Sequence, residues 1–102
     1  MFKNLEELVK IIRNRKNNPK EKSYTNKLLN DKKLSLDKVK EEIEELIEAV
    51  EKDSNKVHEA ADVIYHLLVY LETNNIKIEN VLEELEKRKK WNTIIIIFLL
   101  KS

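Results

Sequence analysis

Glu59-Ala60-Ala61-Asp62-Val63-Ile64-Tyr65-His66-Leu67-Leu68-Val69 is the stretch whose reading decides the fold. Ala61, Ile64, Leu68 and Leu71 recur at helical spacing and form one apolar side. Val63, Val69 and Tyr70 make much of the opposite side apolar too. A helix that is apolar nearly all round sits at the centre of its domain. The spacing predicts this helix from Lys56 to Thr73. Glu59, Asp62 and His66 nevertheless lie on it in an i, i+3, i+7 row. Acidic side chains are seldom buried unless they are paired or bound to a metal.

Working outward, Asn74-Asn75 breaks that helix, and the next one is expected from Ile78 to Lys89 with Ile78, Val81, Leu82 and Leu85 facing inward. Upstream, Ser35 reads as the N-cap of a helix from Leu36 to Lys52, whose stripe is Val39, Ile43, Leu46 and Val50. At about 100° per residue, Glu42 falls on the edge of that stripe with Glu45 beside it, and Glu41 neighbours Glu45. Glu44, Glu48 and Glu51 point to solvent. The first helix is expected from Lys3 to Lys16 through Leu5, Leu8, Val9 and Ile12, and Asn17-Asn18-Pro19-Lys20 ends it. Between them, residues 21–33 are less regular, with Leu28 and Leu29 as anchors.

The sum is an all-α, four-helix bundle-like domain over residues 1–90, completed by dimerisation. The third helix has apolar surface on two sides, more than one small monomer can cover. Residues 91–102 form an apolar tail. Its run Ile94 to Leu100 is far short of the roughly 20 residues of a membrane span. A strand, an oligomer-packing segment or an aggregation-prone extension all fit that run.

Composition agrees with helices. The 102 residues include no glycine, which argues against glycine-turned sheets and Rossmann-type sites. A net charge of +1 offers no global attraction for nucleic acid. The absence of cysteine excludes disulfides, zinc–thiolate sites and thiol nucleophiles. The first residues carry acids and no apolar signal core, so a cytoplasmic location is expected.

Two acidic pairs carry the chemistry: Glu42 with Glu45, and Glu59 with Asp62, each three residues apart on one helix face. Such like-charge pairs cost about a few tenths of a kcal/mol each. A cation offsets the repulsion, and this many hard oxygen donors suit Mg²⁺, with Mn²⁺ as a substitute. The first pair alone reads as a solvated helix face. The second, on a helix with little solvent face, turns the reading toward metal. His66 is expected to be a structural, hydrogen-bonding histidine, and His58 a surface residue.

Glu41-Glu42-x-x-Glu45, followed after 13 residues by Glu59-x-x-Asp62, resembles the metal signature of the all-α nucleoside triphosphate pyrophosphatases of the MazG type. Ser23-Tyr24-Thr25-Asn26-Lys27-Leu28, Lys38-Val39-Lys40-Glu41-Glu42, the run from Glu59 to Val69, and Val81 to Arg88 are similar to segments of the phosphoribosyl-ATP pyrophosphatases. The resemblance covers Leu5 to Lys89. Lys40 stands where that family usually has glycine, and the tail from Trp91 has no counterpart in it.

The resemblance implies hydrolysis of phosphoribosyl-ATP to phosphoribosyl-AMP and pyrophosphate, the second step of histidine biosynthesis, in a homodimer. It implies Glu42, Glu45, Glu59 and Asp62 as metal ligands, and Glu41, Glu42 and Glu45 as catalytic carboxylates. Arg15, Lys16, Lys27 and Lys38 are expected phosphate contacts. Ser23, Tyr24 and Thr25 offer hydroxyls to the substrate. Two other readings stand beside it: a housekeeping pyrophosphatase of common or deoxynucleoside triphosphates, and a non-catalytic helical dimerisation module.

Overall fold

The structure is a computed structural model that describes the backbone of residues 2–101 and the side chains of residues 2–89 and Leu100. Among the described residues there are five α-helices and no strand: α1 Lys3–Asn17, α2 Tyr24–Leu29, α3 Lys32–Lys52, α4 Lys56–Thr73 and α5 Ile78–Lys101. The fold class is the expected all-α one. None of the helices is long and apolar enough to cross a membrane.

Three boundaries differ from the expectation. The irregular stretch contains α2, a short helix capped by Ser23, whose Oγ accepts from the Asn26 amide at 3.3 Å. The next helix begins earlier than expected. Asp31, not Ser35, is its N-cap, and the Asp31 carboxylate accepts from the Leu34 amide at 3.0 Å. Asp and Ser are comparable caps, so the sequence alone did not rank them. Ser35 ends up buried inside α3 with its Oγ unpartnered. Lys40 therefore lies in the helix interior, where it supports the helix better than a glycine by about 1 kcal/mol. Lastly, α5 continues through residue 101, which removes the strand reading of the tail. The packing role of Ile94 to Leu99 falls outside the described side chains.

Helix α4 is central, as its composition required: it packs against every other helix and most extensively along α3. The core is Val9 and Ile12 of α1, Leu28 of α2, and Leu68 and Val69 of α4. Thr73 ties α2 to α4, donating to the carbonyls of Val69 at 2.8 Å and Leu28 at 3.4 Å. The antiparallel turn from α3 to α4 needs left-handed backbone, and this glycine-free chain supplies it with Asp53 and Asn55, at φ 52° and 56°. Asp and Asn tolerate that region better than other non-glycine residues.

The core does not use all the expected apolar stripes. Ile43, Ile47 and Val50 on α3, Val57, Ile64 and Leu67 on α4, and Leu82 and Leu85 on α5 are exposed. Val39 and Leu68 of the same stripes are buried. A radius of gyration of 16.8 Å exceeds the about 13 Å of a compact domain this long. One copy of the chain is a central helix with partial cover, not a closed bundle.

Arg13 clamps α1 to the other end of the fold. Its Nε donates to Glu72 Oε1 at 2.9 Å, and its two terminal nitrogens fork onto Glu79, one of them at 2.7 Å. The fork holds the Glu79 carboxyl down to about 2. Between that value and the ordinary 4.5, the unfolded chain binds the proton that the folded chain refuses. Stability from this contact is therefore present above about pH 4.5 and lost as the pH falls toward 2. Melting temperatures of wild type and Glu79→Gln, taken from pH 5 down to pH 2, are expected to converge at the acid end. Because Glu79 is largely exposed, the gap should also shrink in 1 M salt. A gap independent of pH contradicts this account.

Candidate metal centre

The α3–α4 hairpin runs its two helices antiparallel, so the middle of α3 faces the first half of α4. That brings Glu42 and Glu45 against Glu59, and one carboxylate oxygen from each lies within 4.8 Å of the others. A second group, His58, Glu59 and Asp62, meets the same limit, so Glu59 belongs to both. The four acids expected as ligands thus fall into two overlapping groups, and Glu59 is the shared member.

Depth is distributed differently from the sequence expectation. The most buried acid is Glu42 of α3, at 8% exposure. Glu59 and Asp62 are only half-buried. Their helix is apolar nearly all round, but its N-terminal turns lie beside the Asp53–Asn55 turn, away from the core that Leu68 and Val69 join farther along. Glu42 Oε2 and Glu59 Oε2 are both buried and have no hydrogen-bond partner. A buried carboxylate oxygen left bare costs several kcal/mol, about 1–3 or more. Burial pushes the Glu42 carboxyl above its usual range, and the neighbouring charge of Glu45 adds to it. Burial likewise raises Glu59, with Glu45 again the next cause. Crowded acids, orphaned oxygens and, among the described residues, no lysine or arginine bonded into the cluster are the donor set that a hard divalent cation fits. His58, which lies 3.4 Å from Asp62, is exposed as expected, and its nitrogen is the softer donor.

Glu41 stands outside both groups. It is exposed, and its Oε2 accepts from Lys38 Nζ at 3.1 Å. Lys38 is thereby placed on the rim of the cluster.

The Ser23-Tyr24-Thr25 segment is attached to α4 through a small polar network. Tyr24 OH lies 3.0 Å from His66 Nε2, and Thr25 Oγ1 lies 2.5 Å from Tyr65 OH. The Tyr24 and Tyr65 rings stack with centroids 6.5 Å apart, and His66 meets both edge-on. His66 is buried and hydrogen-bonded, as expected of a structural histidine. Ser23 spends its oxygen on the α2 cap.

The remaining basic candidates are scattered. Lys27 lines an open hollow of about 580 Å³ with Lys20, Lys22, Ser23, Tyr24 and Asn26. Lys16 donates to the Glu72 carbonyl at 3.0 Å and to Asn75 Oδ1 at 2.6 Å. That places it at the C-terminal end of α4, thirteen residues or about 20 Å along the helix from Glu59. Within one copy it does not join the carboxylates. Arg15 contributes its backbone carbonyl, which accepts from Asn26 Nδ2 at 2.6 Å.

Asn26 itself went unread in the sequence. Its Oδ1 also accepts from the Lys20 amide at 2.8 Å, so this buried side chain staples the loop before α2 and fixes where Tyr24 starts. An asparagine between polar residues carries no signal of such a role. Lys20 and Lys22 were missed for the same reason, since only the loop's path brings them beside Lys27.

Residues 5–89 match the family described as phosphoribosyl-ATP pyrophosphohydrolase. A phosphoribosyl-ATP pyrophosphatase from Clostridium acetobutylicum is 49% identical, over 84% of this chain and 81% of the relative. One from Methanocella arvoryzae is 42% identical, over 84% of this chain and 96% of the relative. A histidine biosynthesis bifunctional protein from Pyrococcus furiosus is also 42% identical, over 84% of this chain but 41% of that protein. No solved structure gives a significant match. With the match spanning nearly all of the helical domain, the chain belongs to the phosphoribosyl-ATP pyrophosphohydrolase family.

Proposed function

We propose that this chain hydrolyses the α–β phosphoanhydride of phosphoribosyl-ATP, giving phosphoribosyl-AMP and pyrophosphate, as a cytoplasmic step of L-histidine biosynthesis. The observation that carries the reading is the pair of buried, unpartnered oxygens of Glu42 and Glu59 inside one three-acid cluster, in a chain of this family. Glu42, Glu45, Glu59 and Asp62 would hold Mg²⁺, with Mn²⁺ as a substitute. When bound, the cation supplies charge screening for the triphosphate and polarisation of its phosphoryl oxygens. The bare acids would repel that substrate.

The chain's own residues then divide the work. Glu42 and Glu45 of α3 and Glu59 and Asp62 of α4 would hold the cation and so set where the cleaved phosphates lie relative to the helices. Glu41 is left outside the cluster and open to solvent, so its carboxylate suits the task of taking the proton from the attacking water. Lys38 holds Glu41 in place and puts a positive charge where the leaving pyrophosphate develops its negative one. Lys27 presents a further ammonium group from the hollow beside Tyr24.

Pyrophosphate release from phosphoribosyl-ATP, measured beside a panel of common and deoxynucleoside triphosphates, tests the substrate. Preference for phosphoribosyl-ATP is expected, and preference for a common triphosphate would sink the assignment. Millimolar Mg²⁺ is expected to raise the melting temperature. At ten times the Kd it stabilises by about 1.4 kcal/mol. The rise should vanish in Glu59→Gln and in Asp62→Asn. Equal Mg²⁺ shifts in wild type and both variants would remove the metal site.

The active form is proposed to be a homodimer. The exposed face of Ile43, Ile47 and Val50 on α3 continues into Val57, Ile64 and Leu67 on α4. A second copy of the same face covers such a patch with twofold symmetry. Sedimentation at micromolar concentration should show a dimer, and Ile47→Asp should shift it to monomer. A wild type that sediments only as monomer contradicts the proposal.

A further inference from the structure

The buried histidine of α4 is not used by the scheme above, and its two hydrogen bonds have a directional consequence. His66 Nδ1 lies 2.7 Å from the carbonyl oxygen of Asp62, one turn back on the same helix. A carbonyl oxygen only accepts, so Nδ1 carries the ring proton. In the neutral ring Nε2 is then an acceptor. With the ring neutral, the Tyr24 hydroxyl, 3.0 Å from Nε2, is the donor of that hydrogen bond. The tautomer is fixed by the helix backbone, and the phenol is fixed by the tautomer.

The phenol has one proton and it is committed. What the Tyr24 oxygen has left is lone pairs. The ring is 46% exposed, with Tyr65 stacked on one face, and Lys38, Glu41 and Glu42 all act electrostatically on the phenol. An oxygen that only accepts is thus held on the rim of the acidic cluster. It is the wrong group for a phosphate, whose oxygens are acceptors themselves. It is the right group for a hydrogen-bond donor on the substrate.

We propose that Tyr24 reads a sugar hydroxyl of the nucleotide, accepting a hydrogen bond from it, and that His66 is the positioning residue that makes Tyr24 an acceptor. This rests on the function proposed above and adds to it a preference for ribose over deoxyribose in the nucleotide arm. It also narrows the sequence expectation, which offered the Tyr24 hydroxyl to the substrate without choosing a group on it.

The test is steady-state kinetics of the full chain on the phosphoribosyl adducts of ATP, 2′-deoxy-ATP and 3′-deoxy-ATP. Tyr24→Phe keeps the ring and its stacking. It should lower kcat/KM on the ribose substrate about tenfold, the size of one uncharged hydrogen bond, through KM more than kcat. One of the two deoxy substrates should be poorer for the wild type by a similar factor and indifferent to Tyr24→Phe. His66→Leu, which frees the phenol to turn its proton toward phosphate oxygens, should weaken the ribose preference, though less than Tyr24→Phe, which removes the oxygen. His66→Gln, whose amide oxygen can take the phenol proton, should restore most of it. Equal losses on all three substrates, or no loss in Tyr24→Phe, overturn the proposal. So do His66 variants that scale all three rates alike, because a merely structural histidine does that. A wild type that releases pyrophosphate from none of the adducts defeats the proposed function instead. The ribose preference is then read from calorimetric Kd values for ATP, 2′-deoxy-ATP and 3′-deoxy-ATP with Mg²⁺, and its absence there overturns this inference as well.

Discussion

Repulsion among Glu42, Glu45 and Glu59 is the constraint around which the rest of the structure is arranged. Three acids with oxygens within 4.8 Å of one another do not gather by themselves. Something must press α3 against α4 at that level, and in this chain it is apolar packing. Val69 and Leu68 pin α4 to α1 and α2, and α3 lies along the whole of α4. Burying a leucine- or isoleucine-sized side chain contributes about 1.5–3 kcal/mol, and each of the two bare oxygens of Glu42 and Glu59 costs about 1–3, so several core residues together are needed to outweigh them. Packing therefore wins, and the acids are held where their own electrostatics would not put them. The raised carboxyls of Glu42 and Glu59 record the same tension.

The site's second layer follows from the same hairpin. His66 lies one turn beyond Asp62, so the helix that presents the acid also presents the ring that grips α2. Thr25 repeats the grip on Tyr65, and Asn26 holds the loop that leads in. A six-residue helix such as α2 is too short to be stable alone. Its position is set almost entirely by these polar contacts and by Leu28, and the segment that carries Tyr24 is consequently indexed to the acidic cluster.

Much of this was legible because helical periodicity is a strong signal. The all-round apolar character of residues 61–71 gave α4 its central place, and the i, i+3 acids gave the cluster. What the sequence did not resolve has physical reasons. Asp31 and Ser35 are equivalent as caps, so nothing local ranked them, and the start at Asp31 brings Leu34 into the helix, where it packs against the core. Periodicity says which residues share a face but not what covers that face, so Ile43, Val50, Leu82 and Leu85 read as core although one copy leaves them open. Asn26 and the direction of the Tyr24–His66 hydrogen bond depend on loop path and tautomer, neither of which leaves a pattern in a linear sequence.

The open face and the acidic cluster belong to one arrangement. Glu42 sits on α3 next to the exposed Ile43, and Asp62 on α4 comes two residues before the exposed Ile64. The hairpin thus turns acids toward its seam and aliphatic residues toward its back. Covering the back with a second copy would stiffen α3 and α4 without touching the carboxylates. Stiffness matters here because the cluster repels itself: a hairpin that can splay will relieve the repulsion by separating Glu42 and Glu45 from Glu59. Self-association at the aliphatic back and cation binding at the acidic seam, as proposed, would then oppose the same motion. Each is expected to strengthen the other although no residue is shared between them.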